Sequence, residues 1–315
     1  MKALFLLLPI CLLAACSEAP PSPEAPVHRA SLERPSPAVS PDDSLFAAYW
    51  YRGEAELTSY TLEQARYGEI HPGKAVLIFV TEDVSRTKQV KLDRPEQAGD
   101  DRVKVLKLNL TKKFNTGIYP YSMMTSVFTP VYAREAPHTL KVTTTSQEWC
   151  GHTFTQFNLR DGAYRVELRS YFESEGDQDL TLERVWLEDE IWTRIRLNPD
   201  ALPTGDVRII PGTMYQRLAH RPLAVTTARA TLTTLETGER AYTLTYPDDD
   251  RTLTIRFEPA FPYAITGWEE TYRSGFGDRA RRLTTRATRD RSMMLAYWQH
   301  NRRVDEALRA ELNLD

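Results

Sequence analysis

The chain has 315 residues and a formal net charge of −3, with acidic and basic residues mixed along its length. This balance gives no case for a nucleic acid partner, nor for a membrane surface held by charge alone. Of the three cysteines, Cys11 and Cys16 belong to the leader discussed next. Cys150 is then the single free thiol expected in the mature protein, which excludes an intrachain disulfide.

The first sixteen residues read MKALFLLLPICLLAAC and predict a bacterial lipoprotein signal. Lys2 precedes an apolar run of about eleven residues, which is too short for a membrane-spanning helix of ~20 residues. Residues 13–15, Leu-Ala-Ala, lead into Cys16 as in a lipobox, so we expect cleavage before Cys16 and acylation of its thiol. Ser17 in place of Asp favours the outer membrane. An ordinary signal peptide cut elsewhere is the alternative.

Residues 16–42 contain seven of the twenty prolines and few large apolar residues. Such a segment cannot bury enough surface to offset its ordering entropy, so we expect a disordered tether. The predicted organisation is therefore a signal peptide at 1–15, a lipidated Cys16 with a Pro-rich tether at 16–42, and a single β-rich domain at 43–315.

The domain begins with a helical pattern and continues with strand patterns. Leu45, Phe46, Tyr49 and Trp50 share one helical face and predict a short N-terminal helix. The residues after it alternate or form short apolar runs that are typical of strands. The predicted strands cover residues 54–67, 74–80, 102–114, 139–157 with a break at Gly151, 163–172, 180–187, 191–197, 207–210, 223–235, 242–246, 253–257, 263–272 and 281–288. Residues 188–190, Glu-Asp-Glu, are predicted to form a hairpin turn.

Short turns without intervening helices predict a mainly β protein built as a long antiparallel meander. A sheet of about ten or more strands splays or curls, so we expect a strongly curved sheet, a half-barrel or a barrel. Val304, Leu308 and Leu312 recur at helical spacing. They predict a short C-terminal helix that packs on the sheet or covers its open side.

Residues 148–152 form one dense cluster of chemically active side chains. On a regular strand Glu148, Cys150 and His152 would point to the same side. A cysteine beside a histidine can form a nucleophilic thiolate, which makes these three the catalytic candidates. Gly151 can place a bulge here and change the directions. The same residues can instead line a ligand pocket, or Cys150 can be a small buried hydrophobe.

Residues 114–124 form an aromatic, methionine-rich connection in which Gly117 and Pro120 mark turns. Exposed aromatic residues on loops often contribute to binding sites. Tyr119, Tyr121, Trp149 and His152 are therefore the ligand-binding candidates, and packing of these side chains into the core is the alternative.

We expect no metal and no cofactor. The sequence has no histidine pair at zinc-ligand spacing, no glycine-rich phosphate loop and no nucleophile-elbow motif. The basic run at residues 279–291 is interpreted as a solvated strand face, with contact to anionic lipid headgroups or glycans as the alternative.

Three stretches resemble a group of Bacteroidota envelope lipoproteins: residues 56–83 (ELTSYTLEQARYGEIHPGKAVLIFVTED), 108–131 (LNLTKKFNTGIYPYSMMTSVFTPV) and 138–158 (HTLKVTTTSQEWCGHTFTQFN). The resemblance implies an envelope location and no particular activity. Members of the group are sometimes labelled septum formation inhibitor Maf. Maf proteins are cytoplasmic nucleotide pyrophosphatases with an α/β fold, and their Ser-x-Ser-Pro-Arg-type motif is absent from this sequence, so that activity is not expected.

The sequence thus predicts a lipid-anchored protein of the cell envelope, in the outer membrane, whose partners are the membrane and an apolar, lipid or glycan ligand. Two alternatives remain open. One is a periplasmic enzyme that uses Cys150 and His152, and the other is an envelope scaffold without a ligand.

Overall fold

The computed structural model describes residues 44–132 and 138–314. The predicted signal peptide, Cys16 and the tether lie outside these residues. The strands of the described part are β1 (Ala55–Arg66), β2 (Glu69–Ser85), β3 (Arg102–Thr116), β4 (Tyr119–Pro130), β5 (Lys141–Glu148), β6 (Gly151–Arg160), β7 (Ala163–Ser170), β8 (Gln178–Glu183), β9 (Trp186–Leu187), β10 (Gly205–Ile210), β11 (Thr226–Thr234), β12 (Arg240–Tyr246), β13 (Arg251–Phe257), β14 (Ile265–Ser274) and β15 (Arg281–Leu295). The α-helices are α1 (Ser44–Trp50), α2 (Glu188–Leu197), α3 (Thr213–Ala219) and α4 (Ala307–Glu311).

All of these strands belong to one sheet in the order β8-β7-β6-β5-β4-β3-β2-β1-β15-β14-β13-β12-β11-β10-β9. The first eight strands form one meander and β10 to β15 form a second, and the pairing of β1 with β15 joins the two. Neighbours are antiparallel, apart from the short parallel pair of β9 and β10. Strands β8 and β9 are free edges, so the sheet is not closed, and the predicted mainly antiparallel β fold is confirmed.

The sheet is strongly curved, and the contacts of helix α2 show this, because this one helix touches strands that are far apart in the sheet order. The Thr193 hydroxyl in the middle of α2 lies 2.6 Å from that of Thr129 on β4, and Glu188 at the start of α2 accepts a 2.5 Å hydrogen bond from Tyr246 on β12. Seven strand spacings separate β4 from β12, which would be about 34 Å in a flat sheet. A helix is only ~10–12 Å wide, so the sheet wraps around α2 and forms a half-barrel.

The main hydrophobic core lies on the concave face, between the sheet and helices α2 and α3. The predicted central strand at 74–80 lies within β2, where Ala75, Leu77 and Phe79 are buried on this face. On the convex face, a smaller cluster joins Leu57 and Val80 to Leu312 at the end of α4. The C-terminal segment therefore covers the outside of the sheet rather than its open side.

The predicted hairpin around residues 188–190 is wrong. Residues 188–197 form helix α2, and nine of its ten residues are buried. The alternation of Ile191, Thr193 and Ile195 resembles a strand, but it arises because the helix is enclosed on all sides and has no polar face to reveal a helical period. The acidic first turn and the basic last turn of α2 suit the helix dipole.

The two terminal helices are both short. Helix α1 matches the predicted N-terminal helix and buries Phe46 and Trp50. The predicted C-terminal stripe is only partly realised: α4 has five residues, Leu312 is buried and Val304 is 73% exposed. Among the described residues, no helix has both the length and the apolar character needed to cross a membrane.

Candidate functional site at one end of the sheet

Five of the hairpin turns at one end of the half-barrel form the candidate site. They share this end because neighbouring strands are antiparallel, so every second hairpin along the chain turns at the same end. They are the turns between β1 and β2, β3 and β4, β5 and β6, β7 and β8, and β14 and β15. The C-terminal end of α3 lies among them. Seven ring-bearing side chains from these turns and strand ends form what we call the aromatic collar, which consists of Tyr67, Tyr119, Trp149, Tyr171, Phe172, His220 and Phe276.

One side of the aromatic collar crosses the end of α3. The ring of Phe276 lies 6.3 Å from that of Tyr67 and 5.6 Å from the imidazole of His220. That imidazole lies 5.4 Å from the ring of Phe172. His220 has left-handed backbone angles and ends α3. The end of this helix is therefore enclosed by hairpins from opposite halves of the sheet.

The other side of the aromatic collar follows β4 and β5. Tyr119 stacks on Trp149 with ring centroids 6.3 Å apart, and its hydroxyl donates to that of Tyr67 over 3.3 Å. The Tyr67 hydroxyl also lies 2.8 Å from that of Tyr121, whose buried ring stacks 4.8 Å from Phe114 below. The tyrosines thus join the exposed Trp149 to the core.

The aromatic collar closes through the turn between β5 and β6. Tyr171 packs directly over Gly151, where an added Cβ would lie 2.5 Å from the Tyr171 Cγ. The ring of Tyr171 lies 5.4 Å from Phe172, which returns to the first side. Only a glycine at position 151 allows this close approach.

The buried guanidinium of Arg66 lies beneath the aromatic collar. It donates to the Tyr121 hydroxyl over 3.2 Å and to the Leu218 carbonyl, and it lies 4.1 Å from the centre of the Tyr67 ring. Burial lowers the pKa of Arg66, but the neighbouring Tyr121 and Tyr67 hydroxyls outweigh it and the pKa is raised. Within the described residues, no carboxylate pairs with this cation.

A second buried guanidinium, that of Arg217 on α3, lies at the side of the aromatic collar. It stacks on Phe172 at 4.2 Å from the ring centre and is 8% exposed. Its ion pairs are loose, at 3.8 Å to Glu148 and 3.6 Å to Glu175, and its Nε has no hydrogen-bond partner. Desolvation lowers the pKa of Arg217. The two carboxylates therefore leave hydrogen-bonding capacity on this guanidinium.

Glu175 connects Arg217 to the aromatic collar. Its carboxylate lies 2.6 Å from Nδ1 of His220 and accepts a 2.6 Å hydrogen bond from Ser170. Burial raises the pKa of Glu175, but these two hydrogen bonds and Arg217 outweigh it, so the pKa lies below its usual value. Glu175 is therefore ionised near neutral pH and holds His220 in place.

A cleft of about 180 Å³ opens beside Arg217, between α3 and the β7–β8 hairpin. A water molecule takes ~30 Å³ of liquid, so the cleft has room for about six waters or one small polar ring. Two of the residues that line it, Arg217 and Gln216, each have a buried side-chain atom without a partner: Nε of Arg217, a donor, and Oε1 of Gln216, an acceptor. A buried polar atom without a partner is costly, so this pair suits a ligand with both hydrogen-bonding roles.

The concave face offers far less space. The cavity between α2, α3 and the sheet has a volume of about 30 Å³, which is enough for roughly one water. Lys112, Asp189 and Glu270 are among the residues that line it. The interior of the half-barrel is filled by its two helices, and the cleft beside Arg217 is the larger of these two spaces.

The structure brings together three of the four predicted ligand-binding residues. Tyr119 and Trp149 belong to the aromatic collar, and Tyr121 lies directly beneath it. The prediction that the two tyrosines lie on a loop is wrong, because both belong to β4. His152 pairs with Gln147 on the exposed outer face of its hairpin. It therefore lies away from the other three.

The three catalytic candidates do not share one side of a strand. Glu148 points into the concave face and His152 points outward, while Cys150 lies in the turn between them. The backbone N–H of Cys150 donates to Glu148 over 2.7 Å. A hydrogen bond with Glu148 and the negative charge of that carboxylate raise the pKa of the exposed Cys150 thiol, which disfavours the thiolate.

Sequence reasoning missed Arg66, Arg217 and Glu175, and it treated His220 as one of several scattered histidines. These residues are 42 or more positions apart except for Arg217 and His220, which lie together on and just after a helix that the sequence analysis did not predict. The segment 213–219 has no clear amphipathic stripe because it is almost wholly buried. Comparisons of the chain with protein-family models, curated proteins and solved structures found no match.

Proposed function

We propose that this chain is a lipid-anchored protein of the bacterial outer membrane that binds an acidic glycan, a sugar ring with an anionic substituent, at the aromatic collar. The observation that carries the proposal is the aromatic collar with the buried guanidiniums of Arg66 and Arg217 beside it. An open polar cleft lies between α3 and the β7–β8 hairpin, and it is lined by Arg217 and by His220 of the aromatic collar.

The rings suit a sugar because one face of a pyranose presents mainly C–H groups. Such a face packs against the electron-rich face of an aromatic ring, while the hydroxyl groups at the edge remain free for hydrogen bonds. Trp149 is 68% exposed and is held from behind by Tyr119. It therefore offers a fixed stacking surface at little entropic cost.

The charges suit an anionic substituent. Arg66 has no carboxylate partner in the described part of the chain, and the carboxylates near Arg217 are 3.6 Å and 3.8 Å away. Hydrogen bonds that involve a charged partner contribute about 1.5–3 kcal/mol. The unpartnered Oε1 of Gln216 adds an acceptor for a sugar hydroxyl.

These features favour a glycan over the other functions considered from the sequence. A purely apolar ligand would have only about 30 Å³ within the concave face. A thiol enzyme would need a lowered Cys150 pKa, whereas Glu148 raises it. A scaffold without a ligand does not require the cleft of about 180 Å³ beside the loosely paired Arg217.

The test is a calorimetric titration with two matched sugar pairs: N-acetylmuramic acid against N-acetylglucosamine, and glucuronic acid against glucose. The acidic member of each pair carries a carboxylate that its neutral partner lacks. We expect the acidic member to bind roughly 10–100-fold more tightly, from one charge-assisted contact. Native mass spectrometry of protein extracted from its own membrane should show a bound acidic sugar.

The matched variants are Trp149→Ala and Trp298→Ala, which each remove an exposed tryptophan, the first from the aromatic collar and the second from the opposite end of the sheet. Arg217→Met should abolish the preference for acidic sugars, and Arg208→Met, at an exposed arginine, should not. Equal binding of both members of each pair, or unchanged binding by Trp149→Ala, would contradict the proposal.

A further inference from the structure

Four of the most exposed large apolar side chains project from separate hairpin turns at the collar end. Ile118 is 85% exposed, Trp149 68%, Tyr171 66% and Phe276 57%. They belong to four of the five hairpins that are adjacent in the sheet order, and the fifth carries Tyr67. One exposed large apolar side chain thus projects from each of these four turns.

These side chains form a row of separated projections rather than a flat patch. Adjacent hairpins are about 10 Å apart, two strand spacings of ~4.8 Å. A protein interface buries a continuous, closely packed surface, whereas isolated Trp, Tyr, Phe and Ile side chains on turns suit the headgroup region of a bilayer. The exposed Arg279 and Arg281 follow Phe276 and suit anionic headgroups, while the exposed Glu69, Glu173 and Asp278 on the same turns give the rim charges of both signs.

The predicted anchor is attached at the opposite end. Helix α1, where the tether ends, is held by a hydrogen bond from Thr81 to the Trp50 carbonyl. Thr81 lies twelve residues along β2 from Glu69, which begins the strand at the collar end. At ~3.3 Å per residue, about 40 Å separates the two ends. The 26 residues 17–42 could span roughly 80 Å more if extended.

We propose that the collar end docks on a second lipid bilayer, opposite the anchoring membrane, and that the acidic glycan it binds there is the headgroup of a lipid. The identification of the headgroup as an acidic glycan rests on the proposed function. The docking itself rests on the exposed apolar side chains of the turns. Insertion of Ile118, Trp149, Tyr171 and Phe276 would place the Arg217 cleft at headgroup depth.

The experiment reconstitutes the full-length lipidated protein in donor vesicles of phosphatidylcholine. Acceptor vesicles contain phosphatidylcholine alone, phosphatidylcholine with phosphatidylglycerol, or phosphatidylcholine with lipid A, whose headgroup is a phosphorylated sugar. Energy transfer between donor and acceptor dyes reports docking. We expect the strongest docking to the lipid A vesicles, weaker docking to those with phosphatidylglycerol, and the weakest docking to phosphatidylcholine alone, where only the apolar side chains contribute.

Ile118 separates docking from sugar binding, because it projects from the rim but is not part of the aromatic collar. Ile118→Ser should weaken docking by roughly tenfold or more, as expected for one apolar side chain withdrawn from the bilayer, and leave the affinity for free acidic sugars unchanged. Val304→Ser, at the other end and 73% exposed, should change neither.

Acidic sugars that bind while lipid A vesicles do not dock would overturn this inference and leave the proposed function standing. Failure to bind sugars as well would overturn both. Equal docking by Ile118→Ser and the unchanged protein, equal docking to phosphatidylglycerol and lipid A, or protein that does not float with its donor vesicles would each overturn the inference. So would sedimentation with isolated peptidoglycan in place of vesicle docking.

Discussion

Arg196 on α2 and Glu56 on β1 form a bidentate ion pair on the concave face, with both guanidinium Nη atoms 2.6 Å from the two carboxylate oxygens. Both side chains are almost fully buried. The Tyr49 hydroxyl donates a further 2.5 Å hydrogen bond to Glu56. One contact thus joins α1, α2 and the central strand of the sheet.

Removal of one partner of this pair should destabilise the fold strongly, because the other charge would remain buried without compensation. We expect Arg196→Met to lower the free energy of unfolding by about 3–5 kcal/mol. Urea denaturation followed by tryptophan fluorescence measures the change. The double variant with Glu56→Leu should recover much of the loss, since both charges are then absent.

The matched control is the exposed pair of Arg208 and Glu183, which is also bidentate. Arg208→Met should cost no more than ~1 kcal/mol because solvent screens the pair. Equal losses for Arg196→Met and Arg208→Met would contradict the proposed role of the buried pair.

Helix α2 shows where sequence reasoning stops. The strand alternation along β2, β12 and β13 is visible because one face of each strand meets the core and the other meets solvent. Residues 188–197 meet protein on nearly every side, so their polar residues are buried in ion pairs and no helical period remains. The curvature of the sheet was predictable from the number of strands, whereas the two helices that fill it were not.

Asp189 should make stability depend on pH. It accepts hydrogen bonds from the backbone N–H and the hydroxyl of Thr213, at the start of α3. Desolvation, with the nearby Glu188, raises the pKa of Asp189 to about 7. The folded state therefore holds this proton over a range in which the unfolded state, with an Asp pKa near 3.9, has released it.

Protonated Asp189 therefore makes its full contribution to the free energy of unfolding below pH ~4, and this contribution is lost as the pH rises to about 7. For a pKa shift of this size the loss is at most about 4 kcal/mol. Asp189→Asn keeps an acceptor for Thr213 and cannot ionise. Urea midpoints between pH 4.5 and 7.5 should therefore fall for the unchanged protein more steeply than for Asp189→Asn. Asp200→Asn, at an exposed carboxylate, should keep the steep fall. Parallel profiles for Asp189→Asn and the unchanged protein would show that Asp189 ionises normally.

Cys150 should react slowly for an exposed thiol. Its pKa is raised by a hydrogen bond with Glu148, so little thiolate is present near neutral pH. Glu148→Gln removes the negative charge and should speed alkylation by iodoacetamide at pH 8 by several-fold, up to ~10 for one pKa unit. Mass spectrometry of the Cys150 peptide measures the rate.

Glu175→Gln serves as the control for this measurement, because Glu175 also faces Arg217 but makes no contact with the thiol. It should leave the alkylation rate unchanged. A rapid reaction in the unchanged protein at pH 7 would instead revive the nucleophile hypothesis for Cys150.

Only part of the candidate site could be predicted from the sequence, because most of its contacts join residues that are distant along the chain. Tyr119 and Tyr121 stand two residues apart on one strand, so their shared direction follows from strand geometry once the strand is known. The contact of Tyr119 with Trp149 depends on the register of β4 against β5, and the contact of Phe276 with Tyr67 depends on the pairing of β1 with β15. Neither pairing is encoded in any local pattern.

Gly151 offers a test of whether the aromatic collar must be closed to work. Its backbone does not have the positive φ that would disfavour alanine, so the obstacle to Gly151→Ala is the ring and Cβ of Tyr171 at 2.5–2.9 Å. Because Tyr171 is 66% exposed, we expect it to move outward while the sheet remains folded. The affinity for acidic sugars should then fall by roughly 3–10-fold, the effect of about one aromatic contact.

Tyr171→Ala removes the same ring directly and should weaken binding to a similar extent. If Gly151→Ala acts only by displacing Tyr171, the double variant should bind the sugar no more weakly than Tyr171→Ala alone. The effects of the two substitutions on affinity would then be strongly coupled, as for residues in contact. Calorimetric titration of the four proteins, with urea midpoints as a check on folding, measures this coupling. If the losses of affinity add in the double variant, the methyl group introduced by Gly151→Ala acts on the turn at Cys150 and not through the ring of Tyr171. That result would contradict the role of the closed aromatic collar in binding the sugar.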